Sequence, residues 1–193
     1  MKCEKKIQID DTIYTANTSY KIAIKCNEIA TDENIGDFER ALAIICTMFG
    51  GEVLDRPEHH EKLLKWVQNY LSCGKEIKPS HEEPDMDYIE DMDYIITSFQ
   101  SDYGINLDEE DMDWQRFNSL IEGLSNSEFG NCCVLNRIRN LRNYDVSQIK
   151  DKKERNKVIE AKKRVALKKN KKENHLTSKQ EESMANLNKL LGL

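Results

Sequence analysis

The chain has 193 residues and a formal net charge of −6, and its length suits one domain with a core, or one domain and an appendage. Charged residues make up 33% of it and hydrophobic residues 38%, so part of the chain is expected to lie outside the core. No apolar run approaches the roughly 18 residues that span a bilayer, and the first ten residues lack the apolar region of a signal peptide, which predicts a cytoplasmic protein without membrane contact.

Charge is distributed very unevenly along the sequence. The segment from Glu76 to Asp113 contains 14 acidic residues and one lysine, a net charge of −13. The segment from Arg137 to Lys172 contains 15 basic and four acidic residues, a net charge of +11. The sequence leaves two alternatives open: the two segments attract each other within the chain, or they face different partners.

The cysteines show none of the paired spacing that is typical of a structural zinc site. Three of them fall within apolar helical patterns, where a free thiol behaves as a small hydrophobic side chain. The adjacent pair cannot form a disulfide without strain. We therefore expect reduced, structural thiols. The six cysteines are Cys3, Cys26, Cys46, Cys73, Cys132 and Cys133.

The N-terminal part, residues 1–74, is predicted to contain a β-hairpin and a helical half. In "KKIQIDDTIYTA", apolar and polar residues alternate on both sides of two aspartates. This alternation predicts a hairpin with Ile7, Ile9 and either Ile13 or Tyr14 on one face.

Two helices are predicted after the hairpin, because apolar residues recur at i, i+3, i+4 and i+7. Thr18 or Ser19 caps the first helix, and Gly50 and Gly51 stop the second. The apolar stripe of the first helix is Tyr20, Ile22, Ala23, Cys26 and Ile29. The stripe of the second is Phe38, Ala41, Leu42, Ile45, Met48 and Phe49.

A third helix has signals at both ends. Asp55 lies three residues before Glu58, the spacing of a capping box, and Pro57 suits the first turn. Gly74 can adopt the left-handed conformation that ends a helix. The predicted core face is Leu63, Leu64, Val67, Tyr70 and Leu71.

A polar connection, residues 75–84, carries two of the three prolines and predicts a link to a second helical half, residues 85–149. The first helix of this half is predicted to follow Pro84 and to end at Gly104. The next helix begins among the acids at 108–113. The apolar side of the first comprises Met86 or Ile89, Met92, Ile95 or Ile96, Phe99 and Tyr103. The stripe of the second is Trp114, Phe117, Leu120 or Ile121, and Leu124.

The stretch "SNSEFGNCCVLNRIRNL" is predicted to supply a further helix, capped by Ser125 or Ser127. The last part, residues 150–193, is predicted to be a basic helix with Asp151 and Glu154 at capping-box spacing, followed by a tail that is either a short amphipathic helix or mobile. The thin apolar face of the basic helix is Val158, Ile159, Ala161, Val165 and Ala166. The apolar residues of the tail are Met184, Leu187, Leu190 and Leu191.

The predicted fold class is mainly α: a helical bundle with a small N-terminal β-hairpin and an extended basic C-terminal helix.

The tetrad DMDY occurs twice and DMDW once, which raises the question of a metal site. The two DMDY copies are six residues apart, so on a helix their matching aspartates lie about 240° apart and share no face. Asp87 and Asp91 do have the i, i+4 spacing of a divalent-cation pair, but the glycine-containing EF-hand loop is absent. Because helix N-termini favour carboxylates, we interpret Asp85, Asp87 and the acids from Asp108 to Asp113 as helix starts.

Residue types that catalyse reactions are present, but no pattern joins them. His59 and His60 are adjacent, so one helix cannot aim both at a single ion, while His81 and His175 lie in polar segments. The sequence contains no nucleophile elbow, Gly-rich phosphate loop or zinc-protease motif. We therefore expect no enzyme, and no catalytic residue, metal or cofactor.

The basic end is a candidate for contact with phosphates. It contains no aromatic residue after Tyr144 on which a base could stack, and no helix-turn-helix can be placed in it. We favour a solvated basic arm that docks on an acidic protein surface, and keep nucleic-acid binding as the alternative. The residues of this arm are Lys152, Lys153, Arg155, Lys162, Lys163, Arg164, Lys168 and Lys169.

The stretch "YIITSFQSDYGINLDEEDMDWQRFNSLIEGLS" resembles the bacteriophage gene-product-fifteen family, small proteins of phages and prophages of Gram-positive bacteria. The residues that carry the resemblance are Tyr94, Ile95, Phe99, Asp102, Tyr103, Gly104, Ile105, Leu107, Trp114, Phe117, Leu120, Gly123, Leu124 and Ser125. The stretch "IKDKKERNKVIEAKKRVAL", from Ile149 to Leu167, is similar to the family's basic helix, and the resemblance covers most of residues 5–167. The chain departs from the family at "DWQ", where two adjacent tryptophans are common, and at "NCCVLNRIRNL".

The resemblance implies a role in phage tail assembly. Genes of the family are similar in placement to those of tail assembly chaperones, which hold the aggregation-prone tape-measure protein until tube subunits polymerise around it. The implied partners are the tape-measure protein and the tail tube protein, with self-association also open, in the host bacterial cytoplasm. Hydrophobic grooves between helices would accept amphipathic partner helices, and the split of charge would steer assembly. Four methionines suit either an adaptable surface or the core: Met86, Met92, Met112 and Met184.

Overall fold

The computed structural model describes residues 3–32, 34–75, 84–126 and 132–168. Within these ranges the protein is mainly α-helical, with seven α-helices and one two-stranded antiparallel sheet, which confirms the predicted fold class. The strands are β1 (Glu4–Ile9) and β2 (Thr12–Asn17). The helices are α1 (Tyr20–Ala30), α2 (Asp37–Phe49), α3 (His60–Leu71), α4 (Met92–Tyr103), α5 (Trp114–Glu122), α6 (Val134–Asn143) and α7 (Lys152–Val165).

The chain divides into two compact units. The first unit takes the described residues of Met1–Pro79 and Tyr94–Ser125, and the second takes those of Ser80–Asp93 and Asn126–Leu193. Each unit is therefore assembled from two separate stretches of sequence. The division made from the sequence alone stays a prediction, with boundaries at 1–74, 75–84, 85–149 and 150–193.

The hairpin of the first unit forms as predicted, with Ile7 opposite Tyr14. Asp10 lies in its turn with φ of 53°, a left-handed conformation that aspartate tolerates better than most residues. Ile9 and Tyr14 are buried, whereas Ile13 is 63% exposed, so Tyr14 is the candidate that faces the core. Because side chains alternate along a strand, burial of Tyr14 turns Ile13 outward.

Helix α1 packs on α2, and α2 packs on α3. Ser19 caps α1 as predicted, since its hydroxyl accepts the N–H of Lys21 at 3.2 Å. The predicted stripes of α1 and α2 are buried or half-buried with one exception, Phe38, which is 73% exposed. Phe38 lies on the same side of α2 as Ile45, but in the first turn, where no other described element covers it. The prediction that Phe38 is a core residue is therefore wrong.

The predicted start of α3 is also wrong. Asp55 ends a 3-10 helix, Gly51–Asp55, and a second 3-10 turn at Pro57–His59 leads into α3 at His60. An N-cap side chain reaches only the first few N–H groups of its helix, so Asp55 lies too far upstream to cap α3. At the other end, Gly74 adopts the predicted left-handed conformation with φ of 72°, and its N–H donates to the carbonyl five residues earlier at 2.9 Å. Helix α3 itself ends earlier, at Leu71, with Ser72 as its C-cap.

The acids before α4 and α5 behave differently from each other. Asp113 caps α5 by accepting the N–H of Gln115 at 3.0 Å, which confirms the helix-start interpretation there. Helix α4 begins at Met92 rather than directly after Pro84, so the predicted start of this helix is wrong. Asp87 accepts the N–H groups two and three residues ahead of it at 2.8 and 2.9 Å. These bonds close a turn that competes with an earlier helix start.

In the second unit, α6 packs against α7. The residue that caps α6 is Cys133, whose Sγ accepts the N–H of Asn136 at 3.4 Å. The prediction of Ser125 as this cap is wrong, and Ser127 lies outside the described residues. Cys132 and Cys133 therefore precede the helix instead of belonging to it.

Helix α7 begins as predicted, because Asp151 accepts the N–H of Glu154 at 2.7 Å. No residue of α7 is buried, and its predicted apolar face is half-buried. Leu167, just beyond the helix, is 2% exposed and anchors this end of the chain. Lys169 and the predicted tail helix at 176–193 lie outside the described residues.

Candidate functional site

The residues that carry the family resemblance join the end of α4 to the end of α5. The Asp102 carboxylate accepts the N–H and the hydroxyl of Ser125, both at 2.8 Å. The Tyr103 hydroxyl donates to the carbonyl of Leu120 at 2.8 Å. Gly104 ends α4 with φ of 69°, as predicted. Burial alone would raise the pKa of Asp102, but the hydrogen bonds from Ser125 outweigh it and lower that pKa.

Gly123 is required by this close approach. A Cβ atom at this position would lie 2.9 Å from the Tyr103 hydroxyl, nearer than side-chain atoms approach one another without movement. Because the φ of Gly123 is −84°, the backbone itself would accept any residue. The contact with Tyr103 therefore explains the glycine.

The aromatic residues of the same block form the core of the first unit. The Phe117 ring lies 4.5 Å from the Tyr20 ring, 5.3 Å from Phe99 and 5.8 Å from Trp114, centroid to centroid. The indole N–H of Trp114 donates to the carbonyl of Leu71 at 2.9 Å. The other members of the block that are buried are Ile95, Leu107 and Leu124, and Tyr94 is half-buried. The buried members of this block are therefore a packing signature.

A second polar junction in the first unit was missed by the sequence analysis. The hydroxyl of Tyr70 donates to the Asp113 carboxylate at 2.9 Å, and the hydroxyl of Ser19 donates to Asp111 at 2.6 Å. Burial, followed by the bond to Asp113, raises the pKa of Tyr70. The acids of the DMDW tetrad thus bind the start of α1 and the end of α3. Only the prediction of Asp113 as a helix cap gave a signal for this junction.

Asp91 is one half of an ion pair in the second unit. Its side chain is 1% exposed, and its two oxygens accept from the two terminal nitrogens of Arg142 at 2.6 and 2.7 Å. Arg139 lies 3.2 Å from the carboxylate of Asp85 in the same unit. The acidic and basic segments therefore attract each other here. Across the described ranges, no group of three or more His, Cys, Asp or Glu side chains could hold a metal ion.

The two neighbouring histidines have separate structural partners. His59 is 3% exposed, with Nδ1 at 2.8 Å from the Tyr14 hydroxyl and Nε2 at 3.2 Å from the Asp10 carboxylate. Because a carboxylate only accepts, the contact with Asp10 requires a proton on Nε2. His60 Nε2 lies 2.8 Å from the carbonyl of Val53. His81 and His175 lie outside the described residues.

The basic arm is partly tied down within the second unit. Arg142 Nε donates to the carbonyl of Val165 at 2.7 Å, and the backbone N–H of Lys168 donates to the Glu90 carboxylate at 3.0 Å. Lys162 donates to the carbonyl of Tyr144 at 2.6 Å. Lys163 pairs with Glu160, and Arg155 is half-buried. The remaining described arm residues have exposed side chains: Lys152, Lys153 and Arg164.

An apolar groove of about 210 Å³ lies between α2 and α3 in the first unit. Phe38, the most exposed of the large hydrophobic side chains described, stands in its wall. Its described lining is Phe38, Ala41, Leu42 and Ile45 from α2, with His60, Glu61 and Leu64 from α3. This groove is the arrangement in the first unit that is best suited to bind another molecule.

Comparisons with known proteins place this chain in a phage family. In the part of the chain that the structure describes, no helix is both long and apolar enough to cross a membrane. Neither the curated proteins nor the solved structures yield a match. The family model described as Bacteriophage Gp15 protein matches residues 3–167, which include both described units up to Leu167. The chain therefore belongs to the Bacteriophage Gp15 protein family and is a phage protein.

Proposed function

We propose that this protein is a tail assembly chaperone, which binds the phage tape-measure protein, tail tube subunits, or both before the tail tube polymerises. The observation that carries the proposal is the uncovered apolar groove between α2 and α3, with Phe38 73% exposed. Exposed apolar patches mark interaction sites, and a groove between two helices accepts the apolar face of a third. Family membership supplies the phage setting in which such a partner is sought.

Binding without catalysis is sufficient for this role. The proposal therefore includes no catalytic residue and no cofactor, and it places the protein in the host cytoplasm, where tail proteins are made. The packing block from Tyr94 to Ser125 would hold the first unit rigid. A rigid surface loses less conformational entropy when it binds a partner.

Co-expression with the tape-measure protein of the same phage tests the proposal. The soluble fraction is separated by size-exclusion chromatography, with the tape-measure protein expressed alone as the control. We expect the tape-measure protein to become soluble and to elute with this chain in a defined complex. Aggregation of the tape-measure protein while this chain elutes alone would contradict binding of that partner. The same assay with the tube protein tests the other partner, and failure with both would refute the chaperone function.

A second candidate function is binding of nucleic acid by α7. The observation that favours it is a row of exposed cations along one side of this helix, Lys153, Lys157 and Arg164. Such contacts release counterions, so affinity for duplex DNA would fall steeply with salt concentration. Replacement of all three residues by glutamate should then abolish binding. If the wild-type chain shows no salt-dependent binding, this candidate is refuted.

A further inference from the structure

The α2–α3 groove also defines the kind of helix that it fits. We propose that it binds one amphipathic helix of the tape-measure protein, whose apolar residues recur at i, i+3 or i+4 and i+7 and are flanked by lysine or arginine. This inference rests on the proposed function and adds to it the binding surface and the chemistry of the partner.

The spacing of the α2 wall carries the apolar half of the inference. Phe38, Ala41, Leu42 and Ile45 occupy i, i+3, i+4 and i+7, so they form one continuous row along the helix. This row is about 10 Å long at the rise of an α-helix. Two turns of a partner helix present an apolar row of the same length. Leu64 of α3 forms the opposite wall.

The charges around the groove specify the flanking residues of the partner. Glu61 is the one acid in the described lining, and its side chain has no hydrogen bond or ion pair among the described residues. Asp37 and Glu39 stand on either side of Phe38 in the first turn of α2, and both are exposed. Asp37 pairs with Arg40 at 2.9 Å. An acidic rim around an apolar floor is complementary to a helix with cations beside its apolar row.

The size of the groove favours a single helix over a second copy of this chain. A stable dimer buries roughly 800 Å² on each partner, contributed by about 20–30 residues. The described lining of the groove consists of seven residues from two helices. That surface suits two or three anchoring side chains of one helix, with Phe38 as the aromatic anchor on this side.

Binding of labelled peptides tests the inference. Overlapping 20-residue peptides that cover the tape-measure protein of the same phage are titrated with the full chain, and fluorescence anisotropy gives their Kd. We expect tight binding by peptides with an apolar row flanked by cations. Phe38→Ser should weaken it roughly 10- to 30-fold, as for loss of an interface anchor. The matched control is Ile13→Ser, since Ile13 is 63% exposed and does not line the groove.

A charge swap gives a second readout. Glu61→Lys should weaken the binding of the cationic peptides several-fold. When the lysines of these peptides are changed to glutamate, the peptides should recover affinity for the Glu61→Lys variant only. Unchanged circular dichroism spectra show that the variants fold. If Phe38→Ser and Glu61→Lys bind as the wild type does, or if no peptide binds although the co-expressed complex forms, the groove inference is overturned while the chaperone function stands. If the co-expressed complex does not form, binding of the tape-measure protein is refuted and this inference with it, and the chaperone function then depends on the assay with the tube protein.

Discussion

The ion pair between Arg142 and Asp91 supports the sharpest prediction about stability. Arg142→Met keeps an unbranched apolar stem but leaves the Asp91 carboxylate, 1% exposed, without its cation. The change also removes bonds from Arg142 to the carbonyls of Asp85, at 2.8 Å, and Val165, at 2.7 Å. Breaking a buried pair from one side costs about 3–5 kcal/mol, because a charge then stays buried and unpaired. Asp91 keeps one bond, from the N–H of Asp87 at 3.0 Å, which favours the lower end of this range.

Hydrogen exchange of α6 and α7 measures this loss locally, which matters because a chain with two units need not unfold in one step. A loss of about 3 kcal/mol corresponds to exchange roughly 150-fold faster in these helices. The matched control is Arg139→Met on the same helix, since the Arg139–Asp85 pair is about 30% exposed on both sides. We expect its cost to be at most about 1 kcal/mol.

A double replacement separates the ion pair from simple packing. Arg142→Met combined with Asp91→Leu leaves no unpaired buried charge. It should therefore cost at least about 2 kcal/mol less than the sum of the two single changes. Equal protection in the Arg142→Met and Arg139→Met variants, or strict additivity in the double variant, would show that this pair does not hold the unit together.

Three further predictions concern the first unit. Hydrogen bonds from Ser125 hold the pKa of Asp102 below its unfolded value, so their stabilisation is present above about pH 4 and is lost as the pH falls through the folded pKa. Urea midpoints should therefore fall more between about pH 6 and 3 in the wild type than in Asp102→Asn, and an equal fall in both proteins would contradict this role of Asp102. Gly123→Ala should lower the free energy of unfolding by about 1–2 kcal/mol, because the new Cβ atom clashes with the Tyr103 hydroxyl. The loss should be smaller in a Tyr103→Phe background, and an equal loss in both backgrounds would contradict this cause. Burial raises the pKa of Cys26 to about 12, so its thiol should not react with iodoacetamide in the native protein at about pH 8. Mass spectrometry should find Cys26 modified only after denaturation, and rapid labelling of the native protein would refute its burial.

Short-range features of this fold could be predicted from the sequence. The caps formed by Ser19, Asp113 and Asp151 were identified correctly, as were the left-handed conformations of Gly74 and Gly104. Each depends on a side chain or a φ angle acting within about five residues, where backbone geometry alone sets the distance. The hairpin register follows in the same way from alternation around a short turn.

Local signals failed where a competing local structure was available. Asp55 had the spacing of a capping box, but Gly51–Asp55 and Pro57–His59 form 3-10 turns before α3. Asp87 had the position of a helix start, but its carboxylate closes a turn before α4. In both places two local conformations were compatible with the same residues, and packing selected between them.

The candidate site required the tertiary structure. The periodicity of α2 placed Phe38 and Ile45 on one side of the helix, but it could not show that α3 covers only part of this side. Covering a helix face is a property of its neighbours, and the sequence of the helix does not contain that information.

The sequence by itself determined the fold class, several helix termini and the family to which the chain belongs. Only the tertiary structure decided that Asp91 pairs with Arg142, 51 residues away, and that Phe38 remains uncovered. The physical reason is range. Helix periodicity and capping act over a few residues, whereas burial and ion pairing depend on which distant segments meet in the folded chain.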